Sequence, residues 1–392
     1  MTIAIQPSTA TRSFVSAGDQ FKPLRSRLAG QLITAASPDF DAARKVRFIT
    51  IDRRPLAIVQ AASAQDVAET VRFARDRALP LAVRSGGHSL AHLSVIDDAI
   101  VVDLSGMKRI SIDPAARIAH VQPGATSGDL AGPAHAHGLA LSTGDTHSVG
   151  MGGLTTGGGI GFIVRKYGLA IDNLLAAQVV TADGDIVTAS ASERPDLFWA
   201  IRGGGGNFGI VTEFTYRLAP VGQILGGELM LPASREVIRG YLDYVAAAPD
   251  DLTTIANLWH APPAPYVPQE RVGELVLSIL VCWTGSVADG ERALAPLGRR
   301  GGGGGGGGGG ARGGGGGGGG ERGACVGPWR GAAPDTPSLC GVVFCLWQGD
   351  APDHPTPCQG RGCILAGARV SALPKPWHQP RAPLSHSDRR RG

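Results

Sequence analysis

The sequence predicts an α+β protein in which two folded domains are followed by a disordered tail. Strand-like and helix-like segments alternate over roughly the first two hundred residues, which is typical of sheets covered by helices. The pattern changes near Pro220, where longer strand-like runs begin. It ends at ten consecutive glycines over residues 301–310, with eight more over 313–320. A chain of 392 residues has room for two domains.

The first domain is predicted over residues 20–220. Strands are expected at residues 57–60, 81–83, 100–104, 117–121 and 209–218, where short apolar runs are bounded by turn residues. Ser63 is placed to cap a helix with an apolar face, so residues 57–84 read as a βαβ-like unit. A second helix is expected at 130–137, ending at Gly138. The turn Asp183-Gly184 predicts a hairpin between strands at 178–181 and 186–188.

An incomplete second domain of α+β type is predicted over residues 221–298. Strand-like runs occupy 228–231, 252–260 and 275–283, and helical patterns occupy 236–247 and 288–296.

The tail begins with a low-complexity segment at 299–323, and we expect residues 324–392 to be disordered. Polyglycine has no side chains to pack and loses the most backbone entropy on ordering. The tail is rich in Gly, Pro, Arg and Ala, which have GC-rich codons, so it reads as an out-of-frame extension of a GC-rich gene. A flexible linker with a binding tail is the rival interpretation.

Charge and cysteine content also concentrate in the tail. The net charge is +4, yet 12 Lys or Arg stand against 5 Asp or Glu from Arg299 onward, so the preceding body is slightly acidic. That distribution does not favour a nucleic-acid partner. Five of the six cysteines also lie there. The pairs Cys340/Cys345 and Cys358/Cys363 are spaced more widely than ordinary zinc pairs, so no metal site is predicted, with zinc as the lesser alternative.

The apolar fraction of 43% allows a sizeable core. No apolar run approaches the ~20 residues needed to span a bilayer, and the N-terminus does not resemble a signal peptide. We therefore expect a cytoplasmic protein with no membrane partner.

Three glycine-rich motifs carry the functional prediction. The first, Arg84-Ser85-Gly86-Gly87-His88-Ser89, directly follows a buried strand, and its adjacent glycines let backbone N–H groups approach an anion such as a pyrophosphate. The second runs from Val149 to Gly161 and interleaves glycines with apolar residues, which favours a packed backbone that contacts a ligand over a flexible linker. The third runs from Asp196 to Thr212.

With these motifs in this order, residues 20–298 resemble the berberine bridge enzyme-like FAD-linked oxidases of the p-cresol methylhydroxylase/vanillyl-alcohol oxidase superfamily. The resemblance implies an FAD-binding domain of the p-cresol methylhydroxylase type, built from two subdomains. It implies FAD bonded covalently through His88. It further implies a set of cofactor-binding residues. Those lining the diphosphate are Arg84, Ser85, Gly86, Gly87 and Ser89, and those following the flavin and its ribityl chain are Gly150, Gly153, Leu154, Gly158 and Gly161. Ile210 is implied on the adenine side, and Thr146 is also placed at the cofactor.

Two departures from the family pattern bear on function. Many members form a second covalent flavin bond from a cysteine at the position of Thr146, so a single histidyl link is implied here, and the neighbouring His147 reads as structural. Nothing after Gly298 matches the C-terminal segment that often supplies the catalytic base, so no catalytic residue is predicted.

The resemblance implies oxidation of a small-molecule C–OH or C–N substrate (a sugar, an alcohol or an alkaloid-like metabolite) by hydride transfer to the flavin, with dioxygen as acceptor. A flavin dehydrogenase using another acceptor, and an inactive remnant, are the alternatives. Without the missing segment we expect turnover well below that of intact relatives. The sequence predicts neither the substrate nor the oligomeric state.

Overall fold

The computed structural model describes residues 19–47, 50, 52–264 and 267–299, together with the backbone of 342–346. The polyglycine segment and the other tail residues lie outside this range, so the predictions made for them stay predictions.

The N-terminal region forms a first subdomain around a four-stranded sheet. Its elements in chain order are α1 (Lys22–Arg25), β1 (Gln31–Thr34), α2 (Phe40–Ala43), β2 (Ala57–Gln60), α3 (Ala64–Asp76), β3 (Leu81–Arg84) and β4 (Ile100–Asp103). The strand order is β1-β2-β4-β3, with β2 and β3 both parallel to β4. The expected βαβ-like unit is present as β2, α3 and β3, and β4 lies between its two parallel strands.

A second subdomain is built on a five-stranded antiparallel sheet of order β5-β6-β10-β8-β9. Its elements are β5 (Ile110–Asp113), β6 (Ile118–Val121), α4 (Ser127–His135), β7 (Leu139–Ala140), α5 (Met151–Thr156), α6 (Val164–Tyr167), β8 (Leu174–Val180), β9 (Ile186–Ser190), α7 (Pro195–Ile201), β10 (Ile210–Arg217) and β11 (Ala219–Pro220). The helix expected from residue 130 begins three residues earlier, because Thr126 and Asp129 form a capping box.

Apolar packing joins the two subdomains. Val67 and Val71 of α3 share one buried cluster with Val102 of the first sheet and with Val180 and Ile210 of the second. Ser63 caps α3 as predicted, its side chain accepting a hydrogen bond from the N–H of Asp66. The helix α3 therefore lies between two sheets and fixes their relation.

The chain continues into a third sheet with order β13-β14-β12-β15. Its elements are β12 (Leu225–Pro232), α8 (Arg235–Ala246), β13 (Leu252–His260), β14 (Leu275–Trp283), α9 (Val287–Arg299) and β15 (Val342–Leu346). Residues of α8 and α9 pack on one face of this sheet in a separate buried cluster. The strand β15 falls within the tail for which disorder is predicted, and it pairs antiparallel with β12.

The short helix α6 fastens the third sheet to the second subdomain. The Arg165 guanidinium donates hydrogen bonds to the carbonyls of Leu252 and Ala248 at 2.9 and 2.8 Å. The Lys166 ammonium lies 2.5 Å from the Asp251 carboxylate, and this hydrogen bond raises the pKa of Lys166. Both contacts hold the turn between α8 and β13 against the segment that follows the second glycine motif.

Within the part of the chain that the structure describes, no helix is long and apolar enough to cross a membrane.

A buried carboxylate stabilises the first subdomain. Asp66 is 1% exposed and accepts three backbone hydrogen bonds, from Ala29 at 2.8 Å, Gly30 at 3.0 Å and Ala62 at 2.8 Å. Its two oxygens thus tie the segment before β1 to the start of α3.

We predict that Asp66→Asn lowers the free energy of unfolding by roughly 2–4 kcal/mol, because an amide NH₂ replaces one acceptor and then faces a buried backbone donor. Urea unfolding followed by circular dichroism measures the change. The control is Asp76→Asn at the exposed end of the same helix, which should shift stability by less than about 0.5 kcal/mol. Equal shifts for the two variants would contradict the role given to Asp66.

Candidate functional site

The first two glycine motifs meet backbone to backbone. A Cβ placed on Gly86 would lie 2.4 Å from the Gly150 nitrogen, and one placed on Gly150 would lie 2.1 Å from Ser85 Oγ. Such distances are far shorter than any carbon contact allows. The fold therefore brings together two motifs that are some sixty residues apart in sequence, and glycine is required at the point of contact.

The side chains of Arg84 and Ser85 bind neighbouring parts of the chain and so stabilise the first motif. The Arg84 guanidinium forms a buried ion pair with Asp103 at 2.6 Å and donates to the Lys45 carbonyl at 3.2 Å. The Ser85 hydroxyl donates to the Pro123 carbonyl at 2.6 Å. We expected both residues to line a diphosphate. In the structure their side chains are engaged in supporting the motif, which leaves ligand contact to its backbone.

His88 lies at the edge of the same motif and is partly buried. Its Nε2 is 3.1 Å from the Ser148 hydroxyl. Burial, and then the nearby Arg47 guanidinium, lower the pKa of His88. The imidazole is therefore neutral at neutral pH and remains so at a lower pH than an ordinary histidine, and the neutral ring is the form that acts as a nucleophile.

Backbone conformation shapes the turn around His88. Gly87 adopts a φ of +70°, in the left-handed region that favours glycine, and its carbonyl accepts a hydrogen bond from the Arg47 N–H at 3.2 Å. The Ser89 hydroxyl accepts from the N–H of Leu93 at 3.3 Å. These bonds fix the direction in which the chain leaves the motif.

Within the second motif, residues Met151–Thr156 form the helix α5. The sequence had predicted packed backbone here but no helix. The buried Met151 donates its N–H to the Ala125 carbonyl at 2.8 Å. The Thr155 hydroxyl lies 2.6 Å from the hydroxyl of Tyr216, a fully buried residue of β10, and burial raises the pKa of that phenol. The inner side of α5 is thus held by the sheet, while the exposed Gly153 has no atom within 4 Å of a would-be Cβ.

The remainder of the second motif packs on itself. Leu154 lies over Gly144 and Gly159, and a Cβ on either glycine would come within 3 Å of its side chain. Gly158 has a φ of +124° with open space around the Cβ position. Gly161 donates its N–H to Ser142 Oγ at 3.1 Å. These contacts give the motif a defined path.

Thr146 and His147 lie between the first two motifs. The Thr146 hydroxyl donates to the Asp145 carboxylate at 3.0 Å. The His147 ring rests on Gly128 of α4, where an added Cβ would lie 2.0 Å from the ring. The remainder of the His147 side chain is exposed, so its structural interpretation stays a prediction.

The third motif joins the other two through Gly203, which donates its N–H to the carbonyl of Thr156 at the end of α5 at 3.0 Å. Gly203, Gly205 and Gly206 have no neighbouring atom where a Cβ would stand. Ile210, expected near an adenine, is only 8% exposed and packs in the cluster beneath α3.

Sequence reasoning missed three residues of this site, Arg47, Asp103 and Ser148. Arg47 and Asp103 act on the first motif from other parts of the chain, whereas Ser148 directly precedes the second motif and contacts His88 of the first. The one available signal was that Arg84 and Asp103 end adjacent strands at the same register position.

The chain is similar to known flavoproteins in sequence and in structure. A family profile described as an FAD binding domain matches residues 55–190. Over 271 residues the chain is 38% identical to (R)-6-hydroxynicotine oxidase of Paenarthrobacter nicotinovorans, covering 69% of this chain and 58% of that protein. It is 37% identical over 225 residues to a xylooligosaccharide oxidase of Thermothelomyces thermophilus, covering 56% of this chain and 44% of that protein.

Solved structures agree with these matches. The crystal structure of 6-hydroxy-D-nicotine oxidase from Arthrobacter nicotinovorans superposes with a TM-score of 0.63 at 36% identity, covering 70% of this chain and 60% of that one. A berberine bridge enzyme-like protein of Physcomitrella patens superposes with a TM-score of 0.65 at 25% identity, covering 72% and 60%.

Residues 55–190 match an FAD binding domain, and the chain is similar to FAD-linked oxidoreductases. The predicted resemblance to the berberine bridge enzyme-like oxidases and the α+β fold class are confirmed. These relatives are enzymes, among them a 6-hydroxynicotine oxidase and a xylooligosaccharide oxidase. The chain spans 46% and 58% of the length of two of the curated relatives that it matches.

Proposed function

We propose that the chain binds FAD across its two apposed glycine motifs and holds it covalently through His88. The supporting observation is that the neutral, partly buried imidazole of His88 lies next to the glycine backbone of Gly86 and Gly87. The residues present fit the cofactor, because the glycine backbone of the two apposed motifs can donate N–H groups to a diphosphate. Nothing lies at the Cβ positions of Gly153, Gly203 and Gly205, and these open positions leave room for the remainder of the cofactor.

We further propose that the complete site oxidises a small molecule at a C–OH or C–N bond, with dioxygen as the acceptor. When bound, FAD supplies the redox chemistry by accepting a hydride from the substrate. The chain's own residues position the cofactor: the Arg84–Asp103 pair supports the first motif, and Tyr216 holds α5 on the sheet. The similarity to a 6-hydroxynicotine oxidase and to a xylooligosaccharide oxidase supports this class of substrate.

The test uses the purified full chain with its flavin. Sugars, alcohols and secondary amines are added without oxygen, and flavin absorbance is followed. The proposal expects bleaching by a member of this panel and recovery, with peroxide release, when air is admitted. A flavin that no panel member reduces would contradict the proposed oxidation. A flavin that is reduced but not reoxidised by air would indicate a different acceptor.

We predict that Gly153→Ala separates folding from cofactor binding. In apoprotein it should raise the free energy of unfolding by about 0.5–1 kcal/mol, because alanine favours the helix and nothing obstructs its Cβ. Flavin content of the purified chain should fall, because the methyl group occupies the ligand's side of α5. The control is Gly222→Ala, which is equally open but lies outside the three motifs and should leave flavin content unchanged. Full flavin content in both variants would place the cofactor elsewhere.

A further inference from the structure

Among the described residues, α8 and α9 both pack on the same face of the third sheet. Leu229, Ile279 and their alternate neighbours pack on α8 and α9. Side chains alternate across a strand, so the residues between them face the other way. By the strand register, Glu228 and Leu280 are paired on that opposite face, and Asn257 is paired with Ser278 there. We call Glu228, Asn257 and Ser278 the polar floor.

Apolar contacts cover both ends of the face opposite α8 and α9. At one end, Met230 and Val276 pack under the segment that follows β13, in a cluster with Ala261 and Val267. At the other end, Cys282 packs with Ile163 and partly buried Phe162, which directly follow Gly161 of the second motif. Ser278 lies four residues from Cys282, about 14 Å along the strand. The polar floor therefore lies between these ends, next to the chain that leaves the proposed flavin site.

The polar floor holds a carboxylate for which the described part of the chain supplies no cationic partner. The Ser278 hydroxyl donates to Glu228 Oε1 at 2.5 Å, and Ser278 is 2% exposed. Glu228 is partly buried, and among the described residues no Lys, Arg or His forms an ion pair with it. A carboxylate in such surroundings is stabilised by a further hydrogen-bond donor, and the strongest are charged or hydroxylic.

We propose that Glu228, oriented by Ser278, binds the substrate through a hydroxyl or ammonium group of that small molecule. Asn257 lies on the same face at the register position of Ser278 and adds an amide that can donate or accept. The identification of the ligand as substrate rests on the proposed function. The binding of a donor-bearing small molecule at Glu228 is measurable without flavin.

The test is calorimetric titration of the full chain, with and without flavin, using two probes. Xylobiose presents neutral hydroxyls and 6-hydroxynicotine presents an amine, so the two probes separate the sources of the donor. Glu228→Gln should weaken binding of at least one probe about tenfold or more, since a charge-assisted hydrogen bond is lost. Ser278→Ala should weaken it less. The matched control is Glu236→Gln on the solvent-exposed side of α8, which should leave binding unchanged.

Each outcome decides the inference. Weaker binding in Glu228→Gln with an unchanged thermal midpoint supports it, and binding of 6-hydroxynicotine alone excludes a sugar hydroxyl as the donor. Equal affinity of Glu228→Gln and wild type, or no binding of either probe to the wild type, overturns it. If the chain retains no flavin and binding still depends on Glu228, the proposed function fails while the ligand site stands. If flavin is retained and Glu228 has no effect, the ligand site alone fails.

Discussion

Gly150→Ala is expected to reduce the flavin content of the purified chain to about a tenth of the wild-type value or less. The new Cβ would lie 2.1 Å from Ser85 Oγ and 2.3 Å from the Gly86 nitrogen. Because carbon and nitrogen atoms approach no closer than about 3.5 Å, the two motifs must separate by roughly 1 Å. A displacement of that size in a preorganised site costs on the order of 100-fold.

Flavin absorbance per polypeptide measures the effect of Gly150→Ala. Gly222→Ala is the matched control, since nothing lies within 4 Å of its Cβ position. Circular dichroism establishes that both variants remain folded. Normal flavin content in folded Gly150→Ala would show that contact between the two motifs is not needed to hold the cofactor.

His88→Asn is expected to abolish covalent attachment of flavin while leaving reversible binding. The ring nitrogen of His88 is the proposed nucleophile, whereas the glycine backbone proposed to bind the diphosphate is untouched by the change. Flavin should remain on the variant through gel filtration and leave it completely in acid.

The control for this prediction is His92→Asn, four residues further along the same loop. His92 adopts a φ of +61°, and asparagine tolerates that left-handed conformation. The control variant should keep its flavin in acid as the wild type does. Acid-stable flavin on His88→Asn would place the covalent bond on another residue.

The sequence correctly predicted features that are set by interactions between residues close together in the chain, such as helix caps and tight turns. Ser63 as the cap of α3 and the Asp183-Gly184 turn between β8 and β9 are both present in the structure. The position of β4 between β2 and β3 could not be predicted, because the order of parallel strands is set by pairing between distant segments.

The sequence predicted which segments form the candidate site, but it did not predict their secondary structure or the partners of their side chains. Glycine spacing identified the two motifs, yet α5 was missed because glycine-rich segments have low helix propensity. Contacts from Met151 to Ala125 and from Thr155 to Tyr216 hold that helix, and these are tertiary interactions. Arg84 was interpreted as an anion ligand because Asp103, its partner, is recognisable only once the strands are aligned.

The most direct test of the account is peptide mapping of the acid-denatured wild-type chain. After proteolysis, mass spectrometry and flavin fluorescence locate any flavin that remains attached. The account predicts a single flavinylated peptide containing His88, with the bond on the imidazole. An unmodified His88 peptide, with all flavin released into the acid supernatant or attached to another residue, would contradict it.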